Sequence, residues 1–195
     1  MSPPDALLAA AARWVDLSPR QQAALAALFE TRAVAARSPL ALPGSTAHEI
    51  LFVAGGLVRF YYPSDDGRES NKAFVSEGEF AGAIASAQLG APLLYGIEAL
   101  EESTVLAAPY GAFAALMDAD SAFERLGRKL AELILARKER RMRAFLLQSA
   151  TERYLDLERQ RPDLLQRVPQ YHLASYLGVT DVHLSRLRRE LLNKG

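Results

Sequence analysis

The chain has 195 residues, half of them hydrophobic, with 23 basic and 23 acidic side chains and no cysteine. That is enough apolar material for one or two buried cores, and the missing thiols exclude disulfides, cysteine-based zinc or iron–sulfur sites and thiol catalysis. No apolar run reaches the roughly 20 residues that span a bilayer, and the first residues, Met1 to Pro19, lack the basic flank of a secretion signal, so a cytoplasmic protein without a membrane partner is expected.

The formal net charge of zero hides an uneven distribution. Residues 1–120 carry 7 basic and 14 acidic side chains, residues 121–150 carry 8 and 3, and residues 151–195 carry 8 and 6. Basic charge is concentrated late, and at the end Arg186, Arg188, Arg189 and Lys194 face only Glu190, a small footprint suited to phosphate. His48, His172 and His183 are scattered without metal-ligand spacing, so neither metal nor cofactor is expected. No Ser/His/Asp set or phosphate loop is present, and the adjacent Glu101 and Glu102 point to opposite faces of a strand, so an enzyme is not expected.

Residues Asp5 to Val15 read as a short helix rich in Ala and Leu. A second starts with Ser18 as N-cap and Pro19 at the first helical position, and runs through Leu25, Leu28 and Phe29. From Arg32 to about Pro109 the pattern turns to short β-branched and aromatic runs broken by turn residues. Glu49 to Val53, Leu57 to Tyr62 and Glu69 to Val75 read as strands, the last two joined by a turn at Pro63 to Gly67. Val58, Phe60 and Tyr62 fall on one strand face, Arg59 and Tyr61 on the other. A segment Gly78-Glu79-Phe80, an Ala-rich stretch to Pro92 and a final strand pair around Tyr95 to Ala108 complete what reads as an antiparallel roll.

Ser121 to about Gln148 predicts one long helix, about 40 Å at 1.5 Å per residue. Phe123, Leu126, Leu130 and Leu133 recur at spacings of three and four, the pattern of a seam between two packed helices, which weakens where Arg137 and Arg140 take the next positions. Either this stripe pairs two chains or it packs on its own roll; the reading favours a homodimer with Phe123, Leu126, Leu130, Leu133 and Arg137 at the interface. Ser149 and Glu152 fit a capping box and mark a break before a helix Thr151 to Gln160 that ends at Arg161-Pro162. The expected domains are 1–120, a sensor-like roll with N-terminal helices; 121–148, the long helix; and 149–195, a nucleic-acid reader.

That last assignment rests on Gln170 to Leu187. Ala174 where two short helices cross, Gly178 at a sharp turn four residues later, and Leu173, Leu177, Val179, Leu184 and Leu187 as the pinning set have the spacing of a helix-turn-helix. Thr180 can cap the second helix, with Asp181 in its first turn. Its outward face offers Thr180, Asp181, Val182, His183, Ser185, Arg186 and Arg189 to DNA, with Gln170 and Tyr171 at the start of the first helix for the backbone. Arg186 is suited to a bidentate contact with guanine. The rival reading is a small-molecule-binding signalling module whose C-terminal helices contact protein.

Roll, long helix and C-terminal helix-turn-helix, in that order, resemble the Crp/Fnr family of bacterial transcription regulators. The resemblance is carried by GGLVRFYYPSDDGRE followed by GEF, and by QYHLASYLGVTDVHLSR. It implies an α+β fold: an N-terminal cyclic nucleotide-binding-like jelly roll, a dimerisation helix and a helix-turn-helix domain on a homodimer that binds double-stranded promoter DNA, with RNA polymerase as a further partner. If the roll senses a small molecule, Arg59, Tyr61, Gly78 and Glu79 are the candidate effector residues. Three departures matter. The Arg-Ser-Ala positions that hold cyclic AMP in the family fall on Leu93, Leu94 and Tyr95, so no counter-charge meets a phosphate there. A recognition-helix Glu is replaced by Val182, suited to a thymine methyl. The sequence stops at Gly195, so a full β-hairpin wing is not expected.

Overall fold

A computed structural model describes residues 1–46 and 48–193. Two helices open the chain, α1 (Pro3–Ala12) and α2 (Pro19–Leu28). Each begins with a reciprocal capping box, Ser2 with Asp5 and Ser18 with Gln21, followed by proline at the start of the helix. The caps satisfy amides that have no partner inside the helix.

Among the described residues eight strands follow: β1 (Glu30–Val34), β2 (Pro39–Ala41), β3 (Glu49–Gly55), β4 (Val58–Pro63), β5 (Glu69–Val75), β6 (Glu79–Gly82), β7 (Gly96–Ala99) and β8 (Ser103–Pro109), with a short helix α3 (Ile84–Leu89) between β6 and β7. They form two four-stranded sheets, ordered β1-β8-β3-β6 and β2-β7-β4-β5. Every pairing between them is antiparallel. Alternation sends Val53, Val58, Phe60, Val75, Ile97 and Val105 into the space between the sheets, where Leu93 and Tyr95 close the core. The opposite face of the first sheet, through Ile50, Phe52, Phe80, Leu106 and Ala108, packs on α1, α2 and two further helices, α4 (Tyr110–Ala119) and α5 (Ser121–Leu147). The N-terminal helices are therefore part of the main core, with Leu7 and Leu25 fully buried.

Within the protomer, most of the expected dimer seam is already covered. Phe123, Leu126 and Leu130 are 2%, 0% and 2% exposed and lie in the same cluster as Leu7, Leu25, Phe52 and Phe113. Their apolar stripe is used up inside the protomer, because α1, α2, α4 and the first sheet together cover it. Leu133 is half-buried, and Arg137 turns back to pair with Glu79 on β6. The second half of α5 carries the exposed apolar side chains instead: Leu135, Met142, Leu146 and Leu147.

After α5 come α6 (Ala150–Gln160), α7 (Pro162–Arg167), α8 (Gln170–Leu177) and α9 (Asp181–Leu192). Ser149 and Glu152 form the expected capping box and split α5 from α6. These four helices enclose Tyr154, Leu157, Leu164, Leu173, Leu177, Leu184 and Leu187 in one cluster with Leu57 and Phe74 of the roll. The C-terminal unit thus shares a continuous apolar core with the outer face of the second sheet.

Candidate nucleic-acid interface

Helices α8 and α9 meet at a turn built on Gly178. Its φ of +71° is left-handed, and a Cβ there would lie 2.6 Å from Cε1 of Phe145 at the end of α5. The positive φ favours glycine, and a larger residue would also have to displace the exposed Phe145 ring. Gly178→Ala is expected to lower unfolding free energy by about 1–2 kcal/mol from the backbone alone, read from the urea midpoint. Thr180 caps α9, its Oγ1 accepting from the His183 amide at 3.2 Å. Ala174, Leu177, Leu184 and Leu187 are buried where the two helices and the rest of the unit meet.

The opposite side of α9 is open. Thr180, Asp181, Val182, His183, Ser185, Arg186 and Arg189 are all exposed, Val182 to 67%. Gln170, half-buried, donates from Nε2 to Ser185 Oγ at 2.6 Å, and Tyr171 stands exposed beside it. The structure therefore brings all nine predicted residues to α9 and the start of α8. Of the terminal basic residues, Arg188 turns inward and donates to the Tyr154 hydroxyl at 3.2 Å, while Lys194 lies outside the described residues.

Behind this face the unit is clasped to the roll. Arg59, 3% exposed on the outer face of β4, donates from Nε to Glu98 Oε1 at 3.0 Å and pairs through Nη2 with Glu69 Oε2 at 2.6 Å. Its Nη1 approaches Asn71 Oδ1 and His172 Nδ1, both at 3.4 Å. Asn71 Nδ2 reaches the same His172 nitrogen at 3.1 Å. With two donors aimed at Nδ1, that nitrogen is the unprotonated one. Burial, then the charge of Arg59, lowers the His172 pKa to about 4. Ser175 of α8 accepts from the Asn71 amide and donates to the Glu69 carbonyl. Arg161 joins Glu79 and Ser76, and Arg167 joins Glu77 and Glu101 at 2.7 and 2.5 Å. Sequence reading did not single out His172 for this role, since its partners lie more than 100 residues away.

The four candidate effector residues do not form a pocket. Arg59 is spent on the clasp, and its guanidinium covers the Tyr61 ring at 4.2 Å. Glu79 pairs with Arg137 and Arg161, and the Gly78 carbonyl accepts from Arg13 Nη2 at 2.7 Å. The positions corresponding to a cyclic-phosphate site fit that ligand no better. Leu93 is buried in the roll core, Leu94 is exposed, and the Tyr95 ring fills space against Phe60 and Tyr62, its hydroxyl donating to the Gly82 carbonyl at 3.3 Å. Among the described residues no group of His, Cys, Asp or Glu could hold a metal ion, and no helix is long and apolar enough to cross a membrane.

Residues 31–120 match the family model of the cyclic nucleotide-binding domain. No curated protein sequence matches the chain. Solved structures share its architecture. FixK2 from Bradyrhizobium japonicum is 20% identical with a TM-score of 0.71, over 86% of each chain. A mutant CooA from Carboxydothermus hydrogenoformans is 19% identical with a TM-score of 0.68, over 87% of this chain and 78% of its own. A protein from Eubacterium rectale described within the crp/fnr family is 16% identical with a TM-score of 0.71, over 92% and 86%. The roll is thus similar in sequence to the cyclic nucleotide-binding domain, and the chain as a whole shares its fold with these solved structures.

Proposed function

We propose that the chain is a transcription regulator that binds double-stranded promoter DNA as a homodimer, with α9 in the major groove. The observation that carries this reading is the open face of α9. Seven exposed side chains line one side of a capped helix, Thr180 and Ser185 among them also bonded within the unit, and Leu184 and Leu187 brace it from the other. Arg186 is the residue for a guanine edge, Val182 for a thymine methyl, and Gln170, Tyr171 and Arg189 for the backbone. The dimer is assigned to the second half of α5, where Leu135, Met142 and Leu146 recur at spacings of seven and four on an uncovered face. RNA polymerase is the further partner such a regulator engages.

The regulator does not respond to cyclic AMP in this reading, because Leu93, Leu94 and Tyr95 offer the phosphate no cation. The test of DNA reading is selection of bound sites from a random duplex library, with a two-fold symmetric motif as the expected result. Arg186→Ala should then weaken binding to the selected site by about 1–3 kcal/mol with the dimer intact. Affinity for duplex should also fall steeply with salt as counterions are released. An Arg186→Ala protein as tight as the parent removes that residue from base reading. Binding that is indifferent to salt favours a protein partner for the C-terminal helices.

A further inference from the structure

Gln170 and Ser185 stand 15 positions apart, at the first residue of α8 and in the second turn of α9, and a hydrogen bond joins them. Gln170 Nε2 lies 2.6 Å from Ser185 Oγ and 3.4 Å from the carbonyl oxygen of Asp181. A carbonyl only accepts, so the end of the Gln170 amide that faces it is the donor, and one of its two N–H groups goes to each oxygen. Ser185 Oγ is therefore the acceptor of this pair. Among the described residues its own O–H has no acceptor, and the side chain is exposed on the open face of α9. A serine hydroxyl with no fixed partner rotates to give or to take a hydrogen bond, and so separates bases poorly. Held by Gln170, this one has its lone pair engaged inside the unit and its proton to offer outside.

We propose that Gln170 is a positioning residue that fixes Ser185 as a hydrogen-bond donor towards the base edge, so that the base it meets is any but cytosine. The inference rests on α9 lying in the major groove. There guanine N7 and O6, adenine N7 and thymine O4 accept, whereas cytosine shows only its N4 donor. Thymine O4 and cytosine N4 occupy the same place on the pyrimidine ring, so the contrast between them turns on which partner holds the proton. Gln170 thereby acts on a base through another residue, beyond any contact of its own with the backbone.

The test uses the full chain and duplexes carrying the motif selected from the random library. Ser185→Ala should flatten the preference at one position of each half-site, which locates the contact. At that position, uracil against cytosine compares O4 with N4 in the absence of the thymine methyl. The parent should favour uracil about tenfold, the discrimination of one polar contact made or refused. Gln170→Met should cut this ratio to about threefold or less, because the released hydroxyl can turn to accept from N4. Gln170→Glu, whose carboxylate accepts from the Ser185 O–H, should invert the preference whatever it does to overall affinity. In a Ser185→Ala background neither substitution of Gln170 should move the ratio. A substitution that only loosened the unit would weaken both duplexes alike. A Ser185→Ala protein as selective as the parent at every position, or an unchanged ratio in Gln170→Met, overturns the inference and leaves DNA reading in place. A library that yields no motif overturns DNA reading itself, and this inference with it.

Discussion

Arg59→Met should lower the unfolding free energy by about 3–5 kcal/mol, the range for removing one partner from a buried ionic network. The side chain is 4% exposed and faces two carboxylates, Glu69 and Glu98, and two neutral groups, Asn71 and His172. Methionine fills most of the volume but leaves the Glu98 carboxylate, 19% exposed, without its cation. Glu69 is 38% exposed and regains water, which places its share at the small end. Lysine at this position is expected to restore less than half of the loss, since one ammonium cannot reproduce donors that leave in three directions. Urea midpoints give the stability. Hydrogen exchange gives the location: amides of α8 should lose protection first, because His172 and Ser175 are held from the roll side. A variant within about 0.5 kcal/mol of the parent removes the clasp from the energetics of the fold.

The same network fixes a pH dependence. His172 is neutral in the fold, with a pKa near 4 against 6.5 in an open chain. The unfolded state therefore binds the extra proton between those values, and stability must fall as pH falls. The contribution is fully present above about pH 6.5 and is lost progressively towards pH 4. A shift of this size corresponds to at most about 3–4 kcal/mol. His172→Asn keeps an acceptor near Arg59 without a titrating ring, so its stability should change less between pH 7 and pH 5 than that of the parent.

The parts of this architecture that were legible in the sequence are those set by neighbours along the chain. Ser18 with Pro19 and Ser149 with Glu152 announce their helices because cap signals lie within three residues. Gly178 and Thr180 announce the turn and the start of α9 for the same reason. Helix α4 went unseen, since Pro109 caps it without a side-chain hydrogen bond and its residues show neither a polar face nor a stop signal. The clasp was out of reach because Arg59 and His172 lie 113 positions apart, and nothing local marks a buried arginine from a surface one. The stripe on α5 is instructive in a different way. Periodicity says which face of a helix is apolar and is silent on what covers it. Here α1 and α2, with α4 and the first sheet, supply the cover.

Leu126→Ala and Met142→Glu separate the two halves of that helix. Leu126 is fully buried within the protomer, so truncation should cost about 2–5 kcal/mol of stability, the transfer of its methyl groups plus a cavity that surrounding Phe52 and Phe113 cannot collapse. Its effect on self-association, measured by sedimentation at a concentration where the variant is still folded, should be nil. Met142 is 60% exposed and makes no core contact, so a glutamate there should leave the urea midpoint within about 0.5 kcal/mol of the parent. In a dimer joined along Leu135, Met142 and Leu146, however, the substitution brings two carboxylates together in an apolar seam, and dissociation is expected. Loss of dimer in a folded Leu126→Ala, with Met142→Glu still dimeric, moves the interface back to the first half of α5 and requires α1 and α2 to leave it on assembly. The order of these two outcomes therefore decides whether the N-terminal helices are permanent parts of the core or a removable cover.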